Sequence, residues 1–256
     1  PLNLMEIGSL PGVFAGVSDL LYEDEMIYAS VTNHGLMIFN AVNPDSVYFE
    51  GEFHVPNYHL NGFELRGNLV YTTGWRNFRI ADISDPANPF QISEYQIYAT
   101  DLAIKDEIAF LGGGYMNEVV YEDLHILDIA DIDEIEEIGL IEMGRASQIE
   151  VEGDLLFVSD VENQLHIYDV SSPTEPEWVS TWSSDYTIYR FYVQEPTVFI
   201  AAGVDGMRVV DYTHPDRPVE TGFYATEEPV LDVNAMGNVV YAVDGRTLKA
   251  FDVTRA

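Results

Sequence analysis

The residues of this sequence that could do chemistry are carboxylates and one guanidinium at a recurring position. Nine residues before an aromatic side chain, in six successive segments, stand Asp19, Gly62, Asp101, Gln148, Arg190 and Asp232. Carboxylate oxygens are ligands that calcium prefers, and an arginine can offset part of their charge. Asp19, Asp101 and Asp232 therefore predict a site for a metal, with calcium as the cofactor, or for a small polar ligand. The structural alternative is that each side chain caps a neighbouring backbone group.

Motifs of common catalytic sites are absent from the sequence. The six histidines form no HExxH pair, no GxSxG elbow occurs, and the glycine run at Gly112–Gly114 is not followed by GK[ST]. His125 and His166 occupy the same position of two segments, which indicates a repeat position and not a metal pair. The carboxylate set has no clear nucleophile or base beside it, so we predict no catalytic residues.

The elements that must position these residues come from a sixfold repeat. The phrase FRIADISDPANP at Phe78–Pro89 returns in related form at Leu36–Pro44, Leu124–Asp131, Leu165–Pro173, Met207–Pro215 and Leu248–Arg255. Aromatic anchors precede the six copies at spacings of 43, 39, 47, 42 and 42 residues, and they are Tyr28, Tyr71, Phe110, Phe157, Phe199 and Tyr241. Five repeats are whole, and about one more period is split between the two ends of the chain.

Each repeat contains four short runs rich in Val, Ile, Tyr and Phe. In the second repeat they are Leu60–Leu65, Asn68–Thr73, Asn77–Ile83 and Phe90–Tyr95. Four antiparallel strands in roughly 40–45 residues are typical of a β-propeller blade. We therefore predict an all-β fold, a six-bladed propeller that forms one domain over residues 1–256. A β-solenoid is the alternative, but its end strands would need caps.

The N-terminal segment is predicted to complete the last blade. The last repeat stops at Ala256 before its fourth strand, and the end joined to the start, TRA–PLNLMEIGSL, matches SDPANPFQISEY. Pro1–Leu10 would then form the outer strand of the blade built from Val230–Ala256, which removes two exposed sheet edges. Because the sequence begins at Pro1 within a blade and without Met, we expect a processed or trimmed product.

The repeated phrase resembles the LVIVD-repeat family, most closely in MRVVDYTHP at Met207–Pro215 and in FRIADISDPANP. The resemblance extends over nearly the whole chain. It implies a β-propeller commonly found in extracellular or surface proteins of bacteria and archaea, and hence an extracellular or cell-surface location. It implies no catalytic residues.

The charge of the chain restricts its partners. The sequence has 44 acidic and 11 basic residues, a net charge of −33, and its only lysines are Lys105 and Lys249. Such a surface repels nucleic acid and anionic lipid, both of which select basic patches. The sequence contains no run of 18 apolar residues, so no transmembrane helix is predicted, and it contains no cysteine. The acidic surface either keeps the protein soluble or collects cations such as calcium.

A four-strand blade, A-B-C-D, places its connections on two rims. The A–B turns and the repeated phrases between strands C and D share one rim, and their short, regular form predicts a structural role. On that rim we interpret Asp82, Asp128, Asp169, Asp211 and Asp252 as caps of the turns. The B–C and D–A connections share the other rim and vary in length, with an insertion at Gly112–Asp123.

Aromatic and arginine side chains concentrate on the irregular rim, as binding hot spots do on variable loops. We predict that the binding residues are Tyr58, Trp75, Arg76, Tyr115, Arg145, Tyr186 and Arg190. The predicted function is a non-catalytic binding, adhesion or structural module that presents this rim to a protein or glycan, with self-assembly or parent-protein domains as further partners. The alternative is a calcium-dependent hydrolase or lactonase at the mouth of the central channel, which rests on fold analogy alone.

Overall fold

The computed structural model describes residues 16–55, 60–74, 76–113, 115–116, 119–120, 123–244 and 246–253. Within these residues the regular structure is β-strand apart from a 3-10 turn at Pro44–Ser46. No helix among them is long and apolar enough to cross a membrane. The strands form six blades, of which the last has three described strands, so the predicted all-β six-bladed propeller is confirmed. The predicted strand at Pro1–Leu10 lies outside the described residues.

The chain divides into two compact units, whose boundaries fall within the third blade. The first unit contains two whole blades, β1 (Val17–Glu23), β2 (Met26–Val31), β3 (Gly35–Asn40), β4 (Tyr48–His54), and β5 (Leu60–Arg66), β6 (Leu69–Gly74), β7 (Asn77–Asp82), β8 (Phe90–Gln96). The third blade consists of β9 (Ala99–Lys105), β10 (Ile108–Gly113), β13 (Leu124–Asp128) and β14 (Glu136–Ile141). Within its insertion, β11 (Tyr115–Met116) and β12 (Val119–Val120) pair as a separate two-stranded antiparallel sheet.

The second unit contains the last three blades. They are β15 (Ala146–Glu152), β16 (Leu155–Asp160), β17 (Gln164–Asp169), β18 (Glu177–Ser183); β19 (Arg190–Gln194), β20 (Thr197–Ala201), β21 (Met207–Asp211), β22 (Val219–Tyr224); and β23 (Asp232–Met236), β24 (Val239–Val243), β25 (Leu248–Asp252). Within these three sheets, strands that are adjacent in the chain pair antiparallel. This is the order that short turns between consecutive strands dictate.

The two kinds of connection lie at opposite edges of each blade, as predicted. In five blades the residue after the repeated Asp or Asn donates its N–H to a carbonyl of the A–B turn, at N···O distances of 2.8–3.0 Å; the pairs are Ala41–Glu25, Ile83–Asn68, Val170–Asp154, Tyr212–Pro196 and Val253–Asn238. At the other edge, Ile97 N–H donates to the Arg76 carbonyl and Ser184 N–H to the Asn163 carbonyl. We call these edges the turn edge and the loop edge.

The repeated aspartates cap the turns between strands C and D. In four of them, Oδ1 accepts the N–H of the residue two positions later, at N···O distances of 2.7–2.9 Å; they are Asp82, Asp128, Asp169 and Asp211. Asn40 does the same in the first blade, at 3.2 Å. The predicted caps are therefore confirmed at these positions, while the residue that Asp252 would cap lies outside the described residues. Hydrogen bonds from Ser84, Ser171 and Thr213 lower the pKa of Asp82, Asp169 and Asp211.

Because these aspartates cap the turns in their ionised form, we predict that the protein loses stability at acid pH. Because the folded pKa lies below the unfolded value of about 3.9, the stabilisation is complete above that value and is lost as the pH falls through the folded pKa. Asp82, Asp169 and Asp211 changed together to Asn should keep the fold at pH 7, since Asn40 caps the same turn. The triple variant should then show a shallower fall in Tm as the pH drops below about 4.

Thermal melts over this pH range measure the effect. The control changes Asp133, Asp185 and Asp216 to Asn, which are exposed and alter the net charge equally. If both triple variants flatten the acid limb to the same extent, the general charge and not the caps determines the acid sensitivity.

The aromatic anchors join neighbouring blades. Phe157 of the fourth blade is fully buried and lies in one apolar cluster with Phe191, Val198 and Tyr212 of the fifth blade. Its ring meets that of Tyr212 edge to face at a centroid distance of 4.9 Å. Tyr28, Phe110 and Phe199 are shared in the same way with the second, fourth and sixth blades. The anchors recur in the sequence because each blade must bury its face against the next.

Candidate functional site

Four blades place three side chains next to each other at equivalent positions of strands C and D. A β-bulge in strand D inserts one residue, which brings two residues three positions apart onto the same face of the sheet; the inserted residues are Glu50, Ile92, Val179 and Thr221. The second residue of each repeated phrase lies on that face of strand C. We call this group the C–D cluster, and its members are Met37, Phe49, Glu52; Arg79, Gln91, Glu94; His166, Trp178, Thr181; and Arg208, Glu220, Phe223.

Ionic and polar pairs occupy the cluster in the first two blades. Arg79 is buried and its Nε lies 3.5 Å from Glu94 Oε2. In the first blade Glu52 lies between two imidazoles, with His34 Nδ1 at 3.2 Å and His54 Nδ1 at 3.5 Å. The C–D cluster is therefore a recurring position of the scaffold, whereas the residues that form it differ from blade to blade.

The fifth blade holds an arginine between two aromatic rings. The guanidinium carbon of Arg208 lies 4.2 Å from the Tyr186 ring centroid and 4.9 Å from that of Phe223. Its Nη1 donates to Glu220 Oε1 at 3.2 Å, and its Nη2 lies 3.9 Å from Asp205 Oδ1. The Tyr186 hydroxyl donates to the other oxygen of Glu220, whose pKa is raised by burial. The Phe223 ring is thus held from one side while the residue stays 65% exposed.

Further exposed apolar side chains lie at the loop edge of the fifth blade. Val204 precedes Asp205 in the B–C connection and is 80% exposed. Tyr189 is 51% exposed, and its ring lies against Gly203, where a Cβ would collide with it. We call Tyr186, Tyr189, Val204, Arg208 and Phe223 the loop-edge patch. It combines rigid aromatic area with a neutralised guanidinium, which suits recognition of a partner surface.

The structure brings only one of the predicted binding residues, Tyr186, into this patch. Tyr58 and Trp75 lie outside the described residues, and of Tyr115 only the backbone, in β11, is described. Arg76 and Arg145 are exposed at the loop edge, and each backbone carbonyl accepts a hydrogen bond there. Arg190 begins β19, and its charge offsets part of the rise that desolvation causes in the pKa of Asp232.

Sequence reasoning missed Arg208, Glu220 and Phe223. A signal for Arg208 was present, since the second residue of the repeated phrase is basic or histidine in five of the six copies, namely Arg79, His125, His166, Arg208 and Lys249. Glu220 and Phe223 had no comparable signal, because only the bulge at Thr221 places them on one face.

Three of the strand A residues form hydrogen bonds with backbone groups. Gln148 accepts the Phe191 N–H at 2.8 Å and donates to the Phe191 carbonyl at 2.7 Å, which is what the capping alternative predicts. Asp19 and Asp232 each accept the N–H of the following residue, at 2.8 and 2.9 Å. Desolvation raises the pKa of Asp232, although the hydrogen bond from the Val233 N–H and the charge of Arg190 act in the opposite direction. Among the described side chains no group of three His, Asp or Glu is arranged to hold a metal ion, and the calcium site stays a prediction.

Two buried carboxylates brace the B–C connections at the loop edge. Asp160 Oδ1 accepts the N–H groups of Glu162 and Gln164 at 2.9 and 2.8 Å, and its Oδ2 lies 3.1 Å from His166 Nε2. Asp244 accepts hydrogen bonds from Lys249 and from the Thr247 N–H, and these lower its pKa. Parts of the irregular edge therefore have a structural role.

Comparison with known proteins supports the fold. Residues 62–97 and 143–183 match the family described as LVIVD repeat. No curated protein matches the chain. The computationally designed Ika8 protein is similar in structure, with a TM-score of 0.70 at 10% identity over 98% of this chain and 75% of that one. A protein from Lactobacillus plantarum has a TM-score of 0.71 at 11% identity over 94% and 82%. At such identities the likeness shows the fold alone.

Proposed function

We propose that this six-bladed β-propeller, in which residues 62–97 and 143–183 match the LVIVD repeat, is a non-catalytic binding module which presents its loop edges to a protein or glycan outside the cell or at its surface. The observation that carries the proposal is the loop-edge patch. Phe223 keeps a ring face in solvent while Arg208 stacks on the ring, so that little side-chain freedom is lost when a partner covers it. Burying an exposed phenylalanine contributes about 1.5–3 kcal/mol.

The difference between the two edges supports the same proposal. At the turn edge, one cap and one backbone hydrogen bond recur from blade to blade, which is a repeated structural device. At the loop edge the connections differ in length and residues, as recognition loops on a rigid scaffold do. Of the two edges, only the loop edge therefore varies enough in its residues to make contacts that are specific for one partner.

The charge distribution favours a neutral or cationic partner. With a net charge of −33 the surface repels anions. Acidic neighbours also pair with Arg66, Arg79, Lys105, Arg208, Arg246 and Lys249. These basic groups are thereby neutralised within the fold.

We expect the loop-edge patch to determine binding. Wild-type protein and a Tyr189→Ala, Phe223→Ala variant are applied to microarrays of purified glycans and of surface proteins, and each hit is titrated in solution. Loss of two exposed anchors should weaken binding at least about 10-fold. Phe90→Ala is the matched control, since Phe90 is 57% exposed but begins strand D at the turn edge. An equal loss in the control, or no wild-type binding on either array, would contradict the proposal.

We propose calcium as an accessory ion, with Asp19, Asp101 and Asp232 as its ligands. Calcium chloride should raise the Tm of the wild type above its value in sodium chloride of equal ionic strength, and this shift should shrink when Asp19 and Asp232 are changed to Asn. The absence of a calcium-specific shift in the wild type would exclude the site. A hydrolase screen on both proteins adds a second test, since turnover that the double change abolishes would favour the calcium-dependent hydrolase or lactonase instead.

A further inference from the structure

The C–D cluster of the fourth blade contains a hydroxyl, an imidazole and a buried carboxylate in one row. Thr181 Oγ1 lies 3.0 Å from His166 Nδ1, and His166 Nε2 lies 3.1 Å from Asp160 Oδ2. Trp178 Nε1 donates to Thr181 Oγ1 at 3.2 Å. A nucleophile within reach of a base, with the base oriented by a third group, is the arrangement that activates hydroxyls for acyl transfer.

The hydrogen-bond partners favour one arrangement of the protons. The Trp178 indole can only donate, so Thr181 Oγ1 accepts from it and is free to donate its own proton to His166 Nδ1. Asp160 accepts two backbone N–H groups on Oδ1, and the His166 Nε2–H donates to its Oδ2. With one proton on the imidazole and that proton on Nε2, the lone pair of Nδ1 points at the Thr181 hydroxyl.

The fold supports this row from three strands. His166 and Thr181 are direct partners across β17 and β18, and Asp160 ends β16 at the loop edge. The bulge at Val179 puts Trp178 on the face of Thr181, although residues three apart in a regular strand face opposite ways. Asp160 is buried at 5% exposure, Thr181 is half-buried and Trp178 is 63% exposed, so the row runs from the interior towards the surface.

We propose that Thr181 is an acyl-acceptor site, which attacks activated acyl esters with His166 as general base. The hydroxyl oxygen bonds to the ester carbonyl carbon, and its proton passes to His166 Nδ1. The bond between that carbon and the leaving oxygen then breaks, and the leaving oxygen takes the electron pair and afterwards the proton. The products are one acyl-threonine and one alcohol. This chemistry is stoichiometric and is independent of the loop-edge patch.

Acetylation by p-nitrophenyl acetate tests the proposal. The intact chain is incubated with the ester, digested and analysed by mass spectrometry at several times. Thr221, an exposed hydroxyl in strand D of the next blade, is the internal reference, because its blade has Arg208 where the fourth has His166. General-base assistance should make Thr181 react at least about 100-fold faster than Thr221.

Three variants separate chemistry from folding. His166→Gln should slow Thr181 acetylation about 100-fold and leave Thr221 unchanged, Thr181→Val should abolish it, and Thr181→Ser should retain it. Thermal melts confirm that each variant is folded, and Thr181→Ser keeps the test valid if His166→Gln does not fold. Equal rates at Thr181 and Thr221 in the wild type, or an unchanged Thr181 rate in folded His166→Gln, would overturn the proposal.

Discussion

Replacing Phe157 by alanine is expected to lower the free energy of unfolding by about 3–5 kcal/mol, the cost of removing a fully buried phenylalanine from a packed core. The side chain has no exposed surface and belongs to the cluster that joins the fourth and fifth blades. Its removal therefore leaves a cavity between two blades, together with a lost edge-to-face contact to Tyr212. For a chain of this size, Tm should fall by roughly 6–20 °C.

Urea and thermal denaturation of Phe157→Ala measure this effect. Phe90→Ala removes the same side chain from a position that is 57% exposed and should change the free energy of unfolding by less than about 1 kcal/mol. Similar losses in the two variants would mean that the aromatic anchor does not hold the blades together.

Replacing Met5–Leu10 by six glycine and serine residues is expected to cause a comparable loss of stability or aggregation. In the described part of the last blade, β25 is the outermost strand of a three-stranded sheet, and its Leu248 is 50% exposed. A strand edge left without a partner exposes backbone N–H and C=O groups and invites pairing with other chains. A fourth strand from the N-terminal segment would satisfy this edge.

Size-exclusion chromatography and thermal melts compare the replaced chain with the parent. Because the replacement keeps the length, a change reflects the lost strand-forming residues and not a shorter chain. A monomeric variant that melts at the parental temperature would show that residues 5–10 do not complete the last blade.

The caps and the two edges of the blades were predictable because their interactions are local. Asp82 caps an N–H two residues away, and Ile83 donates to a turn fifteen residues back within the same blade. Short antiparallel strands joined by tight turns place such groups together whenever the strands form. The bulges were not predicted, since they depend on how strand D of one blade packs beside its neighbours.

The sequence by itself determined the sixfold repeat, the strand order, the capping role of the recurring aspartates and the acidic character of the surface, because these follow from period, turn chemistry and composition. Only the tertiary structure decided that Tyr186 packs with Arg208 and that Thr181 lies beside His166. These partners are 22 and 15 residues apart in the sequence. Their contact depends on the path of a D–A connection in one case and on strand pairing in the other, which local residue preferences do not specify.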